Sequence, residues 1–352
     1  MQRTIRCPKK ARVPRDRTPT AGRRRRRWGL RRPESVGGPG WYAPPAPGGP
    51  GHAMRIAHVL QLATSTPIVA LERDGALYDV AELDRHFGTK LADIRGVSDF
   101  HTRVVALRCA GLHALDDRLL SGDRPASAHL PPATIVWLPP CATDRAAYIQ
   151  LGPYAHGAER PWYRFGNSRA LLGHAAEIPF PPLEDEPDYE LNLAVVLGED
   201  LRRATPEEVE RAIAGYTVLN DWTARSLEAR SLERGLPPSE AKDFATQLGP
   251  VLVTPDELGS VEALRTQVRV DAVARSCSRV GEWTFSLAES VAYISNHVEL
   301  RAGDVIGAGR VLGGSAAQRV PYGASVELMI ERIGRMTGKP VCGPALLPWR
   351  RR

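Results

Sequence analysis

The alternation of apolar and polar positions begins at Met54. "IVALERDGALYDV" sets apolar runs on either side of Asp74-Gly75, a pair suited to the positive φ angles of a tight hairpin turn. Residues 79–121 read as short helices ending near Gly122, and "RPASAHLPPATIVWLPP" as a linker feeding a strand at 134–138. "DYELNLAVVLGED" alternates at first and is then continuously apolar, as a buried strand should be. Thr205, Pro206 and Glu208 form the capped start of a helix whose Val209, Ala212, Ile213 and Tyr216 share one face. "YTVLNDW" reads as a strand, and "TARSLEARSLERG" as a helix stopped at Gly235. "GPVLVT" and "TQVRVDAVA" read as strands; Ser286 and Glu289 cap a further helix, and "GDVIGAG" and "ASVELMIERIG" close the pattern as strands. This mixture predicts an α+β chain, with a small N-terminal α/β domain over 54–128, a larger domain over 129–340 and a basic tail over 341–352.

Charge changes the picture at one place. The chain of 352 residues has a formal net charge of +7. Residues 1–53 hold 14 Lys+Arg against 2 Asp+Glu, a net of +12, which leaves 33 against 38 and a net of −5 for the rest. With eight Gly, nine Pro and no apolar periodicity, this leader cannot bury enough surface to offset its ordering entropy. It reads as a basic arm, as an export signal or as translation from an upstream start. No apolar stretch follows Arg32, which argues against export, and the bias stops at "MRIAHVLQL", which favours Met54 as the natural first residue. The acidic body argues against nucleic acid as a partner, and no apolar run is long enough to span a membrane. Cys7, Cys109, Cys141, Cys277 and Cys342 are scattered without a CxxC, which suits a reducing cytoplasm and weighs against a zinc site or a disulfide framework.

Several motifs fail. "GAGRVLGGS" has the wrong spacing for a dinucleotide loop and no helix after it, and there is neither HExxH nor GxSxG. Three segments carry chemistry instead. In "DYELNLAVVLG", Glu190 and Asn192 are two apart on a strand and project from one face, where a pair of oxygen donors suits a hard divalent cation. Asp221 lies where a strand gives way to a helix, and Lys242 sits among small and apolar residues, where an ammonium can face an anion. Taken singly, each also reads as ordinary structure: a helix cap, a surface ion pair, a solvated lysine.

In order, these segments resemble the fumarylacetoacetate hydrolase family. "YELNLAVVLG" is similar to its E-x-E strand, "LNDWTAR" to its N-D-W-[ST]-A-R block, "KDFATQLGPVLVT" to its K-x-F-x-T…G-P segment, and "ELRAGDVIGAG" to its L-x-x-G-D-V-I strand. The resemblance covers roughly 134–335. It implies a strand-rich mixed β-roll, usually a homodimer, that binds Mg²⁺ or Mn²⁺ through acidic residues. It also implies hydrolysis, decarboxylation or isomerisation at C–C bonds or keto–enol groups of small 2-oxo acids or β-dicarbonyl compounds through a metal-stabilised enolate. By position, Glu190, Asn192 and Asp221 match metal ligands and Lys242 the active-site lysine, while Arg225 completes the N-D-W-T-A-R block on the substrate side.

Three departures bear on the chemistry. Asn192 stands where the family has its second acid, and it removes one negative charge from the site. Arg145 and Tyr148, in "CATDRAAY", fall where many members have the His and Glu that activate water, and arginine is no general base near neutral pH. Arg310 replaces the threonine of the Gly-rich loop and is suited to a substrate carboxylate or to the emptied metal site. Losing the water-activating pair while keeping Glu190, Asp221 and Lys242 favours a non-hydrolytic step. The alternative is a catalytically silent binding or scaffold protein that keeps the fold.

Overall fold

The computed structural model describes residues 53–89, 91, 110–141, 146–152, 159–182, 184–281, 283–315 and 319–343. All belong to one unit, Trp41–Arg352. The leader to residue 52, Arg145 and residues 344–352 lie outside the described residues.

A 12-stranded mixed sheet forms the frame. Across its middle run Arg55–Gln61, Thr246–Val253, Ile213–Asp221, Glu190–Leu197, Val305–Ser315, Tyr148–Leu151 and Tyr163–Phe165. A five-stranded sheet carries Val273–Arg279, Arg265–Val270, Val326–Ile330, Gly334–Cys342 and Ala176–Phe180. Six helices accompany these sheets among the described residues. The expected boundary near residue 128 does not divide the large sheet: Arg55–Gln61 pairs antiparallel with Thr246–Val253, so both parts of the chain share it.

The hairpin forms as its sequence demands. Thr66–Arg73 and Ala76–Asp79 flank Asp74 and Gly75, at φ 52° and 80°. Both capping boxes form, at Thr205 with Glu208 and at Ser286 with Glu289. Three expectations are corrected. The helix after Thr205 ends at Ala212, and Ile213 and Tyr216 belong to the strand Ile213–Asp221, since a fully buried β-rich run outweighs one more helical turn. "TQVRVDAVA" is two strands, because Asp271 and Ala272 turn the chain at φ 49° and 63°. The last strand runs on to Cys342, which takes the start of the expected tail into the five-stranded sheet.

Every residue of Glu190–Leu197 is buried, so both faces of the large sheet are covered. Leu191, Leu193, Val195 and Leu197 join the larger core. Ala194 and Val196 join a second core with Tyr148, Leu219 and Leu248, and with Leu83, Leu112 and Leu115 from the N-terminal helices Val80–Phe87 and Ala110–Leu120. By the two-residue period of strands, Glu190, Asn192, Gln150 and Asp221 lie on this second face. The N-terminal helices pack against Thr66–Arg73 and Ala76–Asp79, several strands along the sheet from Glu190.

Candidate active site

Asp188, Glu190 and Asn192 continue one alternation into the strand Glu190–Leu197, and Asp221 ends the neighbouring strand. Lys242 closes the short helix Ser239–Lys242 and reaches between the carboxylates. Its Nζ lies 2.8 Å from Glu190 Oε2 and 3.2 Å from Asp221 Oδ2, and it donates to Thr223 Oγ1 at 2.6 Å. Arg225 begins the helix Arg225–Glu233; its Nη2 lies 2.6 Å from Glu190 Oε1, its Nε donates to Asp188 Oδ2 at 2.8 Å, and its Nη1 donates to Glu228.

Arg164 lies in none of the motif segments. From the strand Tyr163–Phe165, opposite Gln150, it donates through Nη2 to Asp221 Oδ1 at 3.0 Å and Oδ2 at 2.9 Å, and through Nη1 to Asp243 at 3.1 Å. Burial, the largest single influence, lowers the Arg164 pKa, but the Asp221 charge and hydrogen bond together with Tyr148 and Asp243 outweigh it and raise the pKa, keeping the guanidinium charged. For Arg225, burial again pulls the pKa down most, and Glu190, Asp188 and Glu228 together raise it.

Beneath this layer lies a neutral chain. Tyr148 is fully buried, and its hydroxyl donates to Gln150 Oε1 at 2.8 Å. Gln150 Nε2 donates to Asn192 Oδ1 at 3.1 Å, and Asn192 Nδ2 donates to the Glu190 carbonyl at 2.8 Å. Burial first, then the nearby Asp221 charge, push the Tyr148 phenol well above its ordinary pKa. Gly307 lies opposite Gln150, and a Cβ there would come within 2.2 Å of Gln150 Oε1, so a glycine is what lets this amide stand upright. Here "GAGRVLGGS" lies within the strand Val305–Ser315, not in a nucleotide loop. Arg310 is in register with Asn192 in that strand; its side chain lies outside what is described.

The structure therefore brings Glu190, Asn192, Asp221, Lys242, Arg225 and Tyr148 together, and adds Arg164, Gln150, Asp188 and Asp243. Two of these had a signal: Asp188 extends the spacing of Glu190 and Asn192, and Gln150 shares a strand face with Tyr148. Arg164, alone between aromatic residues, had none.

The three expected metal ligands converge, but their oxygens are already engaged. All four carboxylate oxygens of Glu190 and Asp221 contact Lys242, Arg225 or Arg164, and the Asn192 oxygen accepts from Gln150. Among the described residues no three His, Cys, Asp or Glu side chains form a metal-binding group. As arranged, these side chains do not fit a divalent cation, which would have to displace both Arg164 and Lys242.

Fold and site together define a strand-rich α+β protein in which Lys242, Arg225 and Arg164 are paired with the carboxylates of Asp188, Glu190 and Asp221. Residues 141–340 match the family model of the fumarylacetoacetate (FAA) hydrolase C-terminal domain. The chain belongs to the fumarylacetoacetate hydrolase family. It is 28% identical over 196 residues to the oxaloacetate tautomerase YisK of Bacillus subtilis, covering 54% of this chain and 64% of that protein. Maleylpyruvate hydrolase from Sphingobium sp. SYK-6 shares the fold at TM-score 0.64 and 20% identity, over 82% of this chain and all of that one. Fumarylpyruvate hydrolase from Pseudomonas aeruginosa, solved in complex with Mn²⁺ and pyruvate, is 25% identical at TM-score 0.50, over 56% of this chain and 89% of that one.

Proposed function

We propose that the chain is an enzyme that enolises a small 2-oxo acid or β-dicarbonyl substrate, with isomerisation or decarboxylation favoured over hydrolysis. The observation that carries this reading is Lys242, held between Glu190 and Asp221 with Arg225 and Arg164 beside it. A substrate carboxylate meets the arginines, while the ammonium lies where negative charge grows on an enolate oxygen. Asp243, whose side chain is 30% exposed where that of Asp221 is 2%, is the accessible carboxylate beside Arg164, and we assign it the proton taken from carbon and returned. Tyr148, spent on Gln150, positions Asn192 and is not the base. The expectation of Mg²⁺ or Mn²⁺ at Glu190, Asn192 and Asp221 rests on the family, one of whose solved members holds Mn²⁺. The homodimer belongs to the same reading, and the exposed outer strand Val273–Arg279 of the five-stranded sheet is compatible with it.

The test is deuterium exchange at the carbon next to the carbonyl, followed by NMR across a panel including pyruvate, oxaloacetate and acetylacetone. The wild type accelerates exchange for at least one of them, and Lys242→Met lowers that rate by about 100-fold or more. No acceleration for any member of the panel would overturn the reading, and binding without exchange would favour the silent-scaffold alternative.

A further inference from the structure

We propose that Arg164 takes the place of a divalent cation in this chain, so that the site binds its oxo-acid substrate without metal. The inference rests on the enolisation reading above and concerns where its positive charge comes from.

Three observations carry it. First, Arg164 spans both oxygens of Asp221, one of the residues that would hold a cation. Second, the two guanidinium groups lie outside the carboxylates they cover, with Arg164 and Arg225 side chains 19% and 23% exposed over those of Asp221 and Asp188 at 2% and 5%. An anion entering from solvent therefore reaches guanidinium before it reaches Asp221 or Asp188. Third, Asn192 has lost the charge of an acid and is tied to Gln150, which Tyr148 holds in turn. An amide so placed completes a neutral network, and no charge-bearing ligand stands in its position. A guanidinium has five N–H donors, so with its contacts to Asp221 and Asp243 made it still has donors for a carboxylate. Asp221 and Asp243 hold the arginine in place, as ligands would hold a metal.

The probes are Mn²⁺ and oxalate, a planar mimic of a bound enolate, used on the full chain after treatment with a chelator. Free Mn²⁺ is followed by electron paramagnetic resonance and oxalate by calorimetry. The wild type leaves Mn²⁺ free at about millimolar concentration and binds oxalate equally well with and without chelator. Arg164→Gln weakens oxalate in chelator by about tenfold or more, and combined with Lys242→Met it takes up Mn²⁺ that Asp221→Asn, added to both, releases again. Arg164→Lys retains the charge and keeps Mn²⁺ out. If Arg164→Gln does not fold, the wild-type measurements and Arg164→Lys decide the matter. Wild-type Mn²⁺ binding lost in Asp221→Asn, or oxalate binding that requires Mn²⁺, overturns the proposal and leaves the enolisation reading standing. Oxalate that binds under neither condition removes the oxo-acid reading itself.

Discussion

Asp243 and Tyr148 divide the chemistry at the scale of single residues. Asp243 is partly exposed beside Arg164, while Tyr148 is buried in the large sheet with its hydroxyl donating to Gln150. Asp243→Asn keeps the hydrogen-bonding shape at Arg164 but cannot accept a proton. Its kcat for enolisation falls by about 10²- to 10⁴-fold while oxalate affinity changes little. Equal losses in both would make Asp243 a binding group only. Tyr148→Phe removes a donor from a buried amide oxygen, at about 1–3 kcal/mol of stability in urea unfolding. Because Tyr148 touches neither Arg164 nor Lys242 by a hydrogen bond, oxalate affinity survives that change. A Tyr148→Phe protein of unchanged stability with lost activity would return the residue to the reacting atoms.

At the scale of elements, sequence and structure agree where local chemistry decides. The turn at Asp74-Gly75 and both capping boxes are specified within four residues, and each forms. They part where packing decides: Tyr216 has helical spacing from Val209, yet its run is taken by a buried strand. The same division holds in the site. Glu190, Asp221 and Lys242 were legible as motif residues, and the spacing of Glu190 and Asn192 already put them on one face. Arg164 was not, because its partner Asp221 is 57 residues away and only the pairing of Tyr163–Phe165 with Tyr148–Leu151 brings it there. One substitution to glycine and one away from it test this scale. Ala272 turns a hairpin at φ 63°, so Ala272→Gly relieves a left-handed alanine and raises stability by about 0.5–1 kcal/mol in urea unfolding. Gly307→Val drives a side chain into Gln150, so both stability and oxalate binding fall. Oxalate binding intact in Gly307→Val would mean that the Gln150–Asn192 chain does not shape the site.

The whole molecule depends on how its two larger sheets meet, and His174 lies at that junction. Its Nδ1 accepts the backbone N–H of Thr337 at 3.1 Å from the five-stranded sheet, and its ring meets Trp137 of the large sheet edge-on at 5.1 Å. Gln247, in the large sheet, spans the same seam, donating to the carbonyls of Gly173 at 2.9 Å and Thr337 at 2.7 Å. Accepting at Nδ1 requires the unprotonated nitrogen, so the folded chain wants this imidazole neutral. Burial, with Arg335 nearby, lowers its pKa from 6.5 to about 4. Between these values the unfolded chain binds a proton that the folded chain does not. Stability is therefore complete above pH 6.5 and is lost as pH falls toward 4, by about 1.4 kcal/mol for each unit within that window. His58, also buried and lowered, pulls the same way, so the wild-type slope contains both residues. His174→Gln isolates one of them, since a glutamine oxygen can accept from Thr337 without titrating. Urea midpoints measured from about pH 7 down to about pH 4.5 should fall more steeply for the wild type than for His174→Gln. Parallel curves would show that the sheet junction does not hold His174 neutral, and that the acid sensitivity of the fold arises elsewhere.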